Sequence, residues 1–388
     1  ELRYKYYNSK ENSWSPSFVI PPQMKQAFAS SLGWCGKAVD AMVTRMIYDG
    51  VDNDMFNIAD VFRLNNPSMF FRSGIQSALV GACAFVYISP DEDGYPRLQV
   101  IDAAHATGRL NPITGFLYEG YAVLDADENG TPTMEAYFTP RETQFIHDGI
   151  IETWSNDTGY TMLVPIIYRP DAERPFGHSR ISRSCMRLQE EAKDTLTRTD
   201  VTAEFYSFPQ KYIVGLAQDA DPLDKWKATM SSLLQFTKDD DGDKPSLGQF
   251  TQASMQPHLD QMKQIAALFA GETGLTLDDL GFVSAAPTSS QAIESSHETL
   301  VRTIEDAMVT FGSGFLNAGF VAACLRDGMD YKRQALYDSK IIWKPIVKAD
   351  ATTLSALGDG AIKINQAIPG YFDKDALERL TGVKAATV

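Results

Sequence analysis

Cysteine is scarce: Cys35, Cys83, Cys185 and Cys324 are the only four in 388 residues. No CxxC or CxH pair occurs, which removes the zinc-site and thioredoxin-like patterns and leaves reduced, buried thiols as the expectation. There is no GxxxxGK[ST], GxSxG or HExxH segment, so P-loop, nucleophile-elbow and zincin chemistry are not signalled. The histidines (His105, His147, His178, His258, His297) are scattered and expected to be structural or exposed. Positive charge is also short. Against 50 Asp+Glu stand 35 Lys+Arg, a formal net charge of −15. Phosphate affinity comes from basic side chains releasing counterions, so this balance argues against a surface that grips nucleic acid, though not against one that touches DNA without holding it. The nearest approach to a long apolar run is read at Ile75–Ile88. It is broken by Gln76, Ser77 and Gly81 and falls short of the roughly 18 residues a span needs, so no membrane segment is expected. No signal-peptide pattern opens the chain. It begins at Glu1 without Met and is read as a trimmed or processed piece.

What is present suits a folded protein: 44% of residues are apolar and 22% charged. The length exceeds what one core usually serves, which predicts two or more units. Residues 1–20 read as an arm or strand. Pro21-Pro22 opens a predicted helix to about Tyr48, stopped by Gly50. A second helical region, Ile58–Val80, is split at Asn65-Asn66-Pro67. From Ala84 to Tyr168 short apolar stretches alternate with turn residues, Asp148-Gly149 among them, and predict an antiparallel β meander with no intervening helices. The fold class is therefore α+β rather than doubly wound α/β. A long helix follows from Ser179 to about Tyr206, about 40 Å long, with the stripe Ile181, Cys185, Leu188, Ala192, Leu196 and Phe205. Arg180, Arg183, Arg187, Lys193, Arg198 and five acids occupy its other faces. Residues 207–255 read as a small insert with strands near Lys211–Leu216 and Gly248–Ala253. Then come a helix over 256–270, a loop over 271–287, a long helix from Thr288 to about Arg326 capped by Thr288-Ser-Ser-Gln291, a strand at Lys340–Val347, and helices at Ala351–Gln366 and Asp373–Leu380.

Several motifs resemble chemistry without supplying it. Asp125–Gly130 copies the start of an EF-hand loop, but Ala136 stands where the bidentate Glu is needed, so a hairpin turn is expected. The acidic run Asp239, Asp240, Asp241, Asp243 fails likewise and reads as a solvated loop or a partner contact. Gly312-Ser-Gly314 through Gly319 lacks the spacing and preceding strand of a dinucleotide fingerprint, so close helix packing is the better reading. One absence is local. From Gln264 through Val301, 38 residues carry no Lys or Arg and five acids: Glu272, Asp278, Asp279, Glu294 and Glu298.

At this point the chain resembles the portal proteins of tailed bacteriophages and prophages. The resemblance rests on motif order: Pro175-Phe-Gly-His-Ser179 before the first long helix, Pro209-Gln-Lys-Tyr-Ile-Val-Gly215, Met255-Gln-Pro-His-Leu-Asp260, Thr273–Gly281 with Ser289–Ile293, and Ile342-Trp343-Lys-Pro345. It implies a portal-type fold: a wing (1–178), a first stem helix (179–206), a clip (207–255), a second stem helix (256–270), a tunnel loop (271–287), a long tunnel-facing helix with a late wing strand (288–349), and C-terminal helices (350–388) belonging to the wing or a reduced crown. It implies a homo-oligomeric ring, usually dodecameric, at one capsid vertex of the virion, assembled in the host cytoplasm. Double-stranded DNA would pass through, and scaffold, capsid protein, the terminase large subunit and head–tail adaptors would be partners. No cofactor, metal, catalysis or membrane is implied. The tunnel loop would be Glu272, Thr273, Leu275, Thr276, Leu277, Asp278, Asp279 and Leu280, acting as a mobile constriction. Partner docking would use Asp239, Asp240, Asp241 and Asp243, and stem packing Ile181, Cys185, Leu188 and Leu196. The competing readings are another head component, such as an adaptor or minor capsid protein, and a metal-dependent hydrolase assembled from distant acids.

Overall fold

The computed structural model describes residues 1–10, 30–207, 211–214, 246–249, 254–282, 295–346 and 351–381. The chain divides into two compact units. Unit one comprises Glu1–Tyr7, Lys37–Ser182 and Glu294–Val388, and unit two comprises Asn8–Gly36 and Arg183–Ile293.

In chain order the elements are α1 (Leu2–Tyr7), α2 (Trp34–Val43), β1 (Tyr48–Asp52), α3 (Ile58–Leu64), α4 (Pro67–Gly81), β2 (Cys83–Pro90), β3 (Pro96–Asp102), β4 (Ala106–Leu110), β5 (Leu117–Ala126), β6 (Pro132–Phe138), β7 (Glu142–His147), β8 (Ile150–Ser155) and β9 (Leu163–Ile167). They continue with α5 (Arg183–Ser207), β10 (Lys211–Val214), β11 (Ser246–Gln249), α6 (Gln256–Thr273), α7 (Glu298–Asp327), β12 (Lys340–Trp343), α8 (Ala351–Ala367) and α9 (Lys374–Thr381).

Unit one holds β2 flanked by β3 and β9, the five-stranded meander β4-β5-β6-β7-β8, and the pair β1-β12. All of these pairings are antiparallel. The class is α+β, and local chemistry shows why the elements begin and end where they do. Asp54 accepts hydrogen bonds from Ile58 N (2.7 Å) and Ala59 N (2.8 Å), satisfying two orphan donors at the start of α3. Pro67 opens α4 after a left-handed Asn66. At the β5–β6 turn, Asp127 Oδ1 accepts from Asn129 N and Thr131 N, which holds its carboxyl below the usual range. The EF-hand look-alike is thus a hairpin turn.

The core of unit one is built on α7. Phe311, Phe315 and Phe320 are fully buried. Phe315 meets Phe71 at 4.4 Å, and Tyr48 stacks on Phe71 at 4.1 Å. The glycine-rich part of α7 is there for proximity: a Cβ on Gly319 would lie 2.8 Å from Phe62 Cζ and closer still to Ile58 Cγ2.

Several boundaries differ from expectation. Leu2–Tyr7 is a helix, not an arm or strand. The helix expected over 21–48 begins, among the described residues, at Trp34 and ends at Val43. Tyr48–Asp52 is instead a strand, because β12 offers it a backbone partner. β4 was not anticipated: Ala-Thr-Gly-Arg-Leu has little apolar alternation, and its neighbour β5 supplies the pairing. The capping box at Thr288–Gln291 lies outside the described residues, and α7 starts at Glu298. The helix itself was expected, but the search for long apolar runs settled on Ile75–Ile88 and passed over it. Ala307–Leu325 carries no charge, and the helix is long and apolar enough to cross a membrane. However, 72% of its most apolar window is buried in protein, the pattern of a core helix. All four cysteines are buried thiols rather than disulfide halves. Burial pushes the Cys83 thiol up to about 12 and the Cys324 thiol up to about 11, which keeps them protonated and inert.

Candidate functional site

The segments singled out by sequence fall in three places. The first is the lead-in to α5. Tyr168 N donates to Ala82 O (2.9 Å), and His178 N returns to Tyr168 O (2.9 Å), closing a loop over Arg169–Gly177. His178 Nε2 lies 2.5 Å from Asp171 Oδ2, and that bond, with Arg174 N on Oδ1, lowers the Asp171 pKa. Gly177 has φ +78, and a Cβ there would collide with Tyr168 O. Ser179 Oγ donates to Val80 O (2.7 Å). The Pro-Phe-Gly-His-Ser motif is therefore a backbone joint in which glycine is sterically required.

The second place is unit two, where α5 and α6 pack on one another and β10–β11 forms an antiparallel ribbon between them in sequence. Trp34 packs on Phe269 at 5.4 Å, and Cys35 N donates to Gln189 Oε1 at 2.7 Å. The expected stem seam is only partly the buried one. Cys185 and Ala192 are buried, Leu188 and Leu196 are half-exposed, and Ile181 precedes the helix. Gln189, Lys193 and Thr195 are buried in their place, although Lys193 was assigned to a polar face. An apolar-stripe count scores only residue type and has no means of finding a buried glutamine whose partner is a backbone amide 154 residues away.

The turn after α6, expected as a mobile loop, carries a local hydrogen-bond network. The helix runs three residues beyond 270 and ends at left-handed Gly274. Thr276 N and Oγ1 both donate to Asp279 Oδ2, and Asp279 N donates back to Thr276 Oγ1 (3.1 Å), a reciprocal cap. Leu280 N and Phe282 N bond Leu277 O, and Gly281 N bonds Asp278 O. Thr273, Leu275 and Leu280 are buried, and Leu277 is half-buried. Only Glu272 and Asp278 present exposed charge. Asp239, Asp240, Asp241 and Asp243 lie outside the described residues.

The third place is the first half of α7. Glu298, Arg302, Glu305, Asp306 and Val309 are exposed at helical spacing. The single base among them is held by Glu298, with Arg302 Nη2 to Glu298 Oε1 at 2.8 Å, so the stripe is acidic in effect. Among the described residues no group of three or more His, Cys, Asp or Glu converges on a metal-sized space. An open groove of about 530 Å³ is lined by Asp52, Asn53, Asp54, Met55, Tyr337, Asp338 and Lys340, and it contains no nucleophile–base pair.

No family model matches the chain. Two curated relatives do, the portal proteins of Mycobacterium phage L5 and Mycobacterium phage D29. Each is 24% identical over 388 aligned positions, covering 92% of this chain and 79% of the relative. Among solved structures, the chain is similar to one from the neck of a native gene transfer agent particle computed with C12 symmetry. The TM-score is 0.50 at 12% identity, with 99% of both chains covered, a likeness of fold alone. The chain is therefore similar in sequence to phage portal proteins along nearly its whole length, and it shares its α+β fold with a chain from a particle neck.

Proposed function

We propose that this chain forms the portal ring at one vertex of a phage capsid and serves as the conduit through which double-stranded DNA is packaged and ejected. The observation that carries the reading is the alignment to two portal proteins over 92% of the chain. The charge pattern supports a channel that does not grip. With −15 per copy, and 38 consecutive residues without a base, a ring would repel a polyanion rather than bind it. In this reading α5 and α6 are the stem, the β10–β11 ribbon opens the clip, and the Thr276–Asp279 turn and the acidic stripe of α7 face the passage. Partners would be further copies in a ring, dodecameric by analogy with the C12 neck, together with terminase, scaffold, capsid protein and a head–tail adaptor. ATP hydrolysis would belong to the motor, so the chain itself would not be a catalyst.

The structure changes how the loop should be tested. A deletion of Thr273–Leu280 would remove buried Thr273, Leu275 and Leu280 along with the charges. The double substitution Glu272→Gln, Asp278→Asn alters only exposed groups. Rings with a central hole in negative-stain images of the purified chain, alone or with coat and scaffold protein, are expected for wild type and for this variant. DNA packaged per head is expected to fall in the variant. Small particles under all these conditions would overturn the portal reading. Normal packaging by the variant would overturn the role of the turn.

A further inference from the structure

Within unit two, residues 30–35 form a strap along α5. Cys35 N donates to Gln189 Oε1 (2.7 Å), and Ser30 Oγ donates to Asp200 Oδ2 (3.1 Å). The two acceptors stand about three turns apart, roughly 16 Å along the helix. The step from Ser30 to Cys35 reaches at most about 18 Å when fully extended. The strap therefore runs antiparallel to α5 as extended chain. It is held at two further points. Ser9 Oγ donates to Leu32 O (3.3 Å), and buried Trp34 packs on Phe269 of α6.

Those anchors bracket the weak part of α5. Around Gln189 the helix is rich in good formers: Leu188, Glu190, Glu191 and Ala192. The next turns read Thr195-Leu-Thr-Arg-Thr-Asp-Val-Thr202. Threonine and valine lose side-chain freedom in a helix, and aspartate competes for backbone bonds. Each threonine also bonds back one turn. Oγ1 of Thr195, Thr197, Thr199 and Thr202 donates to Glu191 O (2.9 Å), Lys193 O (3.0 Å), Thr195 O (2.8 Å) and Arg198 O (2.6 Å). Such bonds share carbonyls with the helical amides, and they loosen and bend helices. A stretch of this composition depends on tertiary support to stay helical.

We propose that the strap is a switch on the length of α5. Bound, it ties Asp200 to the firm turns at Gln189 and holds the threonine-rich turns helical. Released, it lets those turns open while the part carrying buried Cys185, Gln189 and Ala192 stays formed. The two states are an order–disorder pair confined to one end of one helix. That end leads directly to the ribbon: α5 ends at Ser207 and β10 begins at Lys211. Opening of the last turns would therefore give β10–β11 slack to reorient, and closing would fix it. The inference stands on unit two alone and does not depend on the portal reading.

The test is amide hydrogen exchange of the purified full chain at Thr197–Ala203, with Met262–Phe269 of α6 as internal reference. Ser30→Ala combined with Gln189→Met removes both strap bonds to α5. Exchange at 197–203 should rise about tenfold or more, and the reference should stay within about twofold of wild type. Adding Thr197→Ala, Thr199→Ala and Thr202→Ala replaces weak helix formers with the best one and should restore slow exchange without restoring the strap. Unchanged exchange at 197–203 would overturn the proposal. Equal acceleration of the reference would also overturn it, because it would mean general loosening of unit two. Failure of the alanines to restore protection would overturn it as well, since the weakness would then not lie in the threonines. If the double variant does not fold, Ser30→Ala alone decides. It should speed the same amides by about threefold, the loss of one exposed hydrogen bond, and no change would overturn the proposal.

Discussion

Gly177→Ala isolates a steric requirement at the joint before α5. Two penalties apply. An L-residue at φ +78 costs about 1–2 kcal/mol in the left-handed region. The added Cβ also meets Tyr168 O, a backbone atom that cannot swing aside, and sits 3.0 Å from Ile167 Cγ2. Overpacking of this kind costs about 1–3 kcal/mol, giving about 2–5 kcal/mol in all. Gly94 provides an internal control, because it has the same φ of +78 but nothing within 4 Å of a Cβ. Gly94→Ala should therefore show the backbone penalty alone. At roughly 2–4 °C per kcal/mol for a unit of this size, G177A should melt at least about 4 °C below wild type and clearly below G94A. In G177A the His178 amide should exchange faster, because its acceptor is Tyr168 O. Equal melting of G177A and G94A would refute the reasoning, since it would mean the carbonyl moves at no cost.

Gly319→Ala should destabilise unit one by about 1–3 kcal/mol through the clash with Ile58 and Phe62. In an Ile58→Ala background, calorimetry should register a smaller increment, and full additivity would count against direct contact. Gln189→Met removes the acceptor for Cys35 N and should cost about 1–3 kcal/mol by denaturant unfolding. An unchanged midpoint would show that water replaces the side chain. Asp171 has a depressed pKa, with the His178 bond as the largest cause. Its contribution is therefore present above the ordinary carboxylate pKa of about 3.9 and lost as pH falls through the lower folded value. Asp171→Asn should flatten the acid limb of the melting curve, whereas an identical slope in wild type and variant would be inconsistent with that linkage.

Legibility in the sequence followed the locality of the cause. The hairpin Glu142–His147/Ile150–Ser155 could be read because Asp148-Gly149 sets turn type and register without outside help. The break at Asn65-Asn66-Pro67 could be read because proline forbids the helix locally. Strand β1 and strand β4 could not, since each is a strand only because a partner from elsewhere supplies hydrogen bonds. The turn after α6 reads by composition as an open acidic loop, yet Leu275 and Leu280 are buried and the Thr276–Asp279 bonds order it.

The amino-acid order alone determined the class of the molecule, most of the sequence of its elements, the shortage of basic charge and the resemblance to phage portal proteins, because turn chemistry, proline, periodicity and composition act within a few residues. Tertiary structure decided which face of α5 is buried and why Gly177 and Gly319 must be glycine. Those properties depend on atoms brought together from distant parts of the chain: Cys35 N at Gln189, Tyr168 O at Gly177 and Ile58 at Gly319. Even the −15 net charge has a local meaning only in the fold, where Arg302 is tied to Glu298 and Glu272 and Asp278 lie at the surface.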